Sequence, residues 1–312
     1  MWSADALQPP VIRELLVFGD SLSDGGNARL LLGDRAFPSP PHWANRRCDG
    51  LLWVEHLAAQ LGLPPLRPSL DGGSNHAFGG ARSGAGLSPK GAPNLLSQVE
   101  GWAEAGGTGR AAAEAGDWAA GAVGVLRAGA NDYLDAPPSP AIGDAVNRHL
   151  LSAVEALAER GLRRFLLPSE LPWGCSPIEL PGVGMAERQA LNRLIERQNH
   201  LLRQALRELA ARRGLLVWQP DFHGLFLQVQ ARPEAWGFRE VGRPVLGAEV
   251  EAVGGLLAGP EGAMEGSGQL AVPGAEGFLW WDAWGHLTSA FHALLAKRAV
   301  EVVKGQPTGE EP

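Results

Sequence analysis

A chain of 312 residues, 45% hydrophobic and 20% charged, holds enough apolar material for a full core and has the balance of neither a disordered nor a fibrous protein. Its net charge of −7 argues against nucleic acid or an anionic membrane surface as partner, because both demand clustered cations. Two cysteines, Cys48 and Cys175, leave no room for a disulfide scaffold or a Cys-x-x-Cys metal or redox pair, so free thiols are expected.

No stretch approaches the roughly 20 apolar residues of a membrane span. The start, Met1-Trp2-Ser3-Ala4-Asp5, lacks a basic region followed by an apolar one. The expectation is a cytoplasmic protein, or a secreted one whose export signal has been removed. One domain over residues 1–304 is expected, with a disordered tail over 305–312.

The first strong feature is Leu15-Leu16-Val17-Phe18-Gly19-Asp20-Ser21-Leu22-Ser23-Asp24-Gly25-Gly26-Asn27. A short apolar run bounded by glycine reads as a strand covered on both faces, and open α/β sheets place their chemistry at the carboxyl ends of such strands. Ser21 is therefore a candidate nucleophile. Asp20 reads as a turn anchor, and Asp24 with Asn27 as groups that brace the loop through local hydrogen bonds.

Further along, Asn75-His76-Ala77-Phe78-Gly79-Gly80-Ala81-Arg82-Ser83 offers glycines where backbone can approach a substrate closely. Apolar runs at 122–128, 164–167 and 215–218 read as buried strands. The first of them leads into Gly129-Ala130-Asn131-Asp132, which sets Asn131 just past a strand end, on the same edge as Ser21. Between the runs, 145–160 and 185–213 carry apolar residues at helical spacing and are followed by Gly161 and Gly214. Helices alternating with short apolar strands predict a parallel sheet between helix layers. The stretch 241–277, rich in glycine and poor in periodic apolar positions, is expected to be a surface excursion.

Of the eight histidines, His149 and His200 fall on predicted helices, and His56 reads the same way. His286 stands apart. In Trp280-Trp281-Asp282-Ala283-Trp284-Gly285-His286-Leu287-Thr288 a carboxylate lies close to the imidazole, in a loop that enters a helix near Thr288. His292 would fall inside that helix and reads as structural. Acyl transfer through serine needs a base for the hydroxyl proton, a group to orient the base and donors for the oxyanion, and the chain offers a candidate for each.

These blocks, in this order, resemble those of the GDSL esterases and lipases of the SGNH hydrolase superfamily. The resemblance implies a three-layer α/β/α sandwich around a central parallel, flavodoxin-like sheet. It implies an acyl-enzyme on Ser21, with His286 as general base and Asp282 orienting it. The oxyanion hole it implies is formed by the backbone amides of Ser21 and Gly80 and the side chain of Asn131, with no cofactor and no metal. Arg47-Cys48-Asp49-Gly50, Ser169 to Pro177 and Asp221 to Phe226 are similar to further family segments, which makes His223 scaffold. Together the matches run from about Leu15 to Ala296, leaving 241–277 unmatched.

Three departures stand out. Three residues, not the usual two, separate Asp282 from His286; Leu287 replaces the usual proline; and Asp49 stands where the family has asparagine. The substrate class stays open among short-chain esters, lipids, thioesters and acetylated carbohydrates, with Trp43, Trp173, Trp281 and Trp284 near the candidate loops. The alternatives are a noncatalytic ligand-binding protein on the same fold and an acyltransferase using the same site. A phosphate-binding domain is disfavoured, since neither Gly-x-Gly-x-x-Gly nor a Gly-Lys-Ser/Thr loop follows a strand.

Overall fold

The computed structural model describes residues 11–33, 36, 42–107, 118–134, 137–178, 183–247 and 272–305. Its main sheet has four parallel strands in the order β1 (Glu14–Gly19), β2 (Ala122–Arg127), β3 (Arg164–Leu166) and β4 (Leu216–Trp218). Residues 74–78 run beside the free edge of β1: Val17 N donates to Ser74 O, His76 N to Val17 O and Phe78 N to Gly19 O. Counting that segment, the spatial order is 2-1-3-4-5, the flavodoxin-like arrangement, which puts the topological switch point beside β1.

Side-chain alternation along β1 shows why there are three layers. Leu15 and Val17 enter one core with α2 (Trp53–Gln60), α7 (Phe222–Ala231) and α8 (Ser289–Val303). Leu16 and Phe18 enter a second core with α3 (Leu95–Glu104) and α5 (Pro140–Glu159). The long helix α6 (Met185–Arg213) serves both, giving Leu191 and Ile195 to the first core and Leu202, Leu206 and Leu209 to the second. A strand buried on both faces is apolar on both, and β1 and β2 follow this except at Glu14, which opens β1, and Arg127, which closes β2.

Local signals set most element ends. The helix α6 covers the span its periodicity predicts and stops at Gly214, which takes the left-handed conformation at φ 63°. By contrast, α5 begins at Pro140, five residues before the first position its apolar spacing suggests, because proline is preorganised for the first turn of a helix. Two short helices, α1 (Asn27–Leu32) and α4 (Ala130–Leu134), follow β1 and β2.

A second, two-stranded parallel sheet joins β5 (Glu240–Leu246) to β6 (Phe278–Asp282). The first of these strands lies within the expected excursion, where its half-exposed side chains gave no clear alternation. Residues 248–271 and the tail from 306 lie outside the described residues. Cys48 and Cys175 are free thiols. Among the described residues no helix is long and apolar enough to cross a membrane.

Candidate active site

Ser21 sits two residues past the end of β1, in a turn that its neighbours fix from several sides. Asp20 Oδ1 accepts from Leu22 N at 3.1 Å and Asp20 O from Ser23 N at 3.0 Å. Asp24, almost fully buried, accepts from the amides of Gly26, Asn27, Ala28 and Gly79. Burial pushes the Asp24 carboxyl up from its ordinary pKa, and these four amide donors pull against that shift. Asn27 Nδ2 bonds the carbonyls of Asn75 and Ala77, while Asn75 Nδ2 reaches back to Ser23 O. The brace read from Asp24 and Asn27 is thus present, and Asn75 adds a tie with no sequence signal of its own.

Two further clamps act on the strand end itself. Gln98, from α3, accepts from Gly19 N and donates to Gly19 O, both at 2.8 Å. A Cβ at residue 19 would stand 2.3 Å from Arg127 O, so only glycine fits where β1 leaves the sheet.

The loop after β6 carries His286 over this turn. Its Nε2 lies 3.0 Å from Ser21 Oγ, and its Nδ1 lies 2.9 and 2.7 Å from the two oxygens of Asp282. Asp282 Oδ1 also accepts from the amides of Trp284 and His286, each at 3.0 Å. A carboxylate only accepts, so Nδ1 carries the proton and Nε2 faces the serine hydroxyl as acceptor.

The three intervening residues close without displacing either group. Gly285 adopts φ 82°, its amide donates to Asp282 O, and Trp281 N donates to His286 O at 2.7 Å. Trp284 is 55% exposed, whereas Asp282 is completely buried, so the additional length bulges into solvent.

The electrostatics suit proton transfer. Burial pushes the His286 imidazole below its ordinary value, only partly offset by Asp282, so it is neutral near pH 7. Burial pushes Asp282 upward, but attraction and hydrogen bonds from His286, with Arg47 adding to them, hold it well below the usual carboxylate range. The arrangement can therefore take a proton from a serine hydroxyl and hold the resulting imidazolium.

The loop at 78–83 also meets the serine turn. Ser21 Cβ lies 3.8 Å from where a Cβ on Gly79 would be, which sets this loop against the serine. The Gly79 amide is engaged by Asp24, and Gly80 follows at φ 81°. Asn131, in α4, donates from Nδ2 to Ala81 O at 2.9 Å. Asp132 holds the same loop by accepting from Ser83 N and Ser83 Oγ. Asn131 is thereby tied to the residue after Gly80, in the loop whose Gly79 meets Ser21.

Other histidines have structural partners. His292 is buried and accepts from Trp53 N; His56 meets Ser289 Oγ; His149 meets Ser83 Oγ; and His223 Nδ1 meets Glu170 O. Of the four tryptophans near the candidate loops, Trp173 and Trp281 are buried, Trp284 is exposed, and Trp43 packs under the Arg46 guanidinium. Two cavities of about 510 and 530 Å³ open at the amino end of β1, and neither is lined by Ser21, Asn131 or His286.

Sequence reasoning passed over a buried ionic chain beneath the serine. Arg127 Nη1 lies 2.8 Å from both oxygens of Asp20, and Arg127 Nη2 lies 2.5 Å from Glu170 Oε1. All three side chains are almost completely buried. The available signal was a lone arginine closing the apolar run Ala122-Val123-Gly124-Val125-Leu126-Arg127, where a buried charge requires partners.

Comparison with known proteins sets this geometry in a family. Thermolabile hemolysin of Vibrio parahaemolyticus is 24% identical over 307 residues, an alignment covering 96% of this chain and 66% of that protein. GDSL esterase/lipase 22 of Arabidopsis thaliana is 28% identical over 227 residues, covering 64% of this chain and 56% of the plant protein. Inactive GDSL esterase/lipase-like protein 25 of the same plant is 27% identical over 242 residues, covering 70% and 56%. The chain thus spans between half and two thirds of the length of the curated relatives it matches. An acetylxylan esterase from Geobacillus stearothermophilus superposes with a TM-score of 0.42 at 13% identity, covering 98% of this chain and 100% of that one. The model of the GDSL-like Lipase/Acylhydrolase family matches residues 15–299, nearly the whole chain, and the protein belongs to that family.

Proposed function

We propose that the protein is a serine hydrolase of carboxylic esters. Ser21 Oγ attacks the ester carbonyl carbon while His286 Nε2 takes its proton. The carbon–oxygen bond to the alcohol then breaks, and the imidazolium returns the proton to the leaving alkoxide. Water, deprotonated by the same imidazole, adds to the acyl-enzyme and releases the acid and free Ser21. The observation that carries this reading is the continuous run from Ser21 Oγ through both nitrogens of His286 to Asp282.

The amides of Ser21 and Gly80 and the side chain of Asn131 are assigned to the oxyanion. Their support is the tie from Asn131 to Ala81 and the position of the 78–83 loop against Ser21. Preorganised donors of this kind supply the largest electrostatic contribution in acyl transfer.

The test is hydrolysis of p-nitrophenyl esters of increasing acyl length by wild type and Ser21→Ala. The reading predicts turnover that falls on the order of 10⁴- to 10⁶-fold in the variant. Equal rates in the two proteins would refute it, and an inert wild type that still binds the esters would favour the noncatalytic alternative. The dependence on acyl length then defines the acid that the site accepts.

A further inference from the structure

The Asp20–Arg127–Glu170 chain takes no part in the proposed hydrolysis, yet one end adjoins Ser21 in sequence and the other reaches, through Trp173, the turn that carries His286. At one end Arg127 Nη1 binds both oxygens of Asp20, the residue immediately before Ser21, and Asp20 Oδ1 also holds Leu22 N. At the other end Glu170 Oε1 receives Arg127 Nη2, Leu171 N at 3.0 Å and Trp173 Nε1 at 2.9 Å. The Trp173 ring lies 5.8 Å from the Arg127 guanidinium carbon. Its far edge lies 3.5 Å from where a Cβ on Gly285 would sit, against the turn that delivers His286.

Stability alone is a poor account of this arrangement. Three ions are withdrawn from water where apolar side chains of similar volume hold a fold together as well or better. Two carboxylates also share one guanidinium, so neither has it to itself. Burial pushes the Glu170 carboxyl up, against the attraction of Arg127, and the nearby Asp20 adds to the rise. What a planar guanidinium supplies that apolar packing cannot is direction, since its donors leave in fixed orientations toward two different partners.

We propose that Arg127 is a positioning residue for acyl transfer: it sets the Ser21 turn, through Asp20, and the wall under the His286 turn, through Glu170 and Trp173, at a fixed offset from each other. This inference rests on the hydrolase reading. The hydrogen bond of 3.0 Å from Ser21 Oγ to His286 Nε2 joins two segments 265 residues apart, and Arg127 has partners that reach toward both. Lysine would keep the charge but present a single point instead of a fork, and would lose one partner or the other.

The test uses Arg127→Lys, Arg127→Gln and Glu170→Gln beside wild type and Ser21→Ala, with p-nitrophenyl acetate as substrate. Rates are expressed per reactive serine counted by a fluorophosphonate probe, and folding is followed by thermal melting. A misplaced nucleophile lowers kcat by about 10- to 100-fold in Arg127→Lys while KM stays within about twofold, since no substrate contact is lost. Glu170→Gln is expected to lose less than Arg127→Lys, and Arg127→Gln more, so that lysine acts as a partial rescue. Should Arg127→Gln fail to fold, the other two variants decide. A lowered melting temperature with wild-type kcat per titrated serine in both Arg127→Lys and Glu170→Gln would overturn the inference and leave the hydrolase reading intact. Wild-type turnover no greater than that of Ser21→Ala would overturn both.

Discussion

At the scale of single residues, the proposed hydrolysis assigns proton transfer to some groups of the site and charge stabilisation to others, and substitution separates them. Asp282 fixes the tautomer of His286, so Asp282→Asn is expected to lower kcat on the order of 10⁴-fold while the fold is retained, read by ester hydrolysis beside circular dichroism. Asn131→Ala is expected to cost about 10²–10³-fold in turnover, and an unchanged rate would remove it from the oxyanion hole. The pH dependence follows from the direction of the His286 shift. Its pKa lies below the ordinary value of 6.5, the base must be neutral to act, and protonation on acidification removes it. The acid limb of kcat/KM should therefore have its midpoint below 6.5, and a midpoint well above that would contradict the burial argument. Ser21, His286 and Asp282 were legible because small polar residues at a strand end and a carboxylate near an imidazole are local patterns. Gln98, Asn75 and Glu170 were not, because each acts on a backbone or side chain far away in sequence.

At the scale of elements, the chemistry depends on where strands stop. Strand β1 leaves the sheet at Gly19 and β2 at Arg127, paired residue to residue, so the segments bearing Ser21 and Asn131 emerge side by side. Both ends were visible as apolar runs closing on small or polar residues. The turn between β6 and α8 was harder to read, since an added residue can displace either partner or bulge outward, and spacing alone does not choose. Gly285 decides it by taking a left-handed conformation open to few other residues. Gly285→Ala would place a Cβ 3.0 Å from Ile178 Cδ1 in that conformation. The expected result is a loss of about 1–2 kcal/mol in thermal or urea unfolding, with lower turnover as His286 shifts. Strand β5 went unrecognised for a related reason: its side chains are mostly half-exposed, so no alternation marks it.

At the scale of the whole molecule, histidines that burial holds below their ordinary pKa are expected to make the fold sensitive to acid. His76, stacked on Phe18 at 5.2 Å, is pushed down to about 4 by burial, whereas in the unfolded chain it titrates near 6.5. The unfolded state therefore binds its proton first as pH falls. The contribution of His76 is complete above pH 6.5 and is lost between there and about pH 4, on the order of 3 kcal/mol. His76→Phe keeps the stacking and removes the proton, so its unfolding free energy should fall less than that of wild type between pH 7 and pH 5. Layer order and the parallel sheet were legible from alternating helical and apolar segments, whereas the ionic chain under the sheet's edge was not, because its three members lie 43 and 107 residues apart. The central claim, that residues from opposite ends of the chain act on one acyl group, is tested most directly by peptide mass spectrometry after brief acid quench of a p-nitrophenyl ester reaction. The account predicts an acyl adduct on the peptide containing Ser21 in wild type and none in His286→Ala. An adduct on another serine, or one on Ser21 that forms as fast without the imidazole, would contradict it.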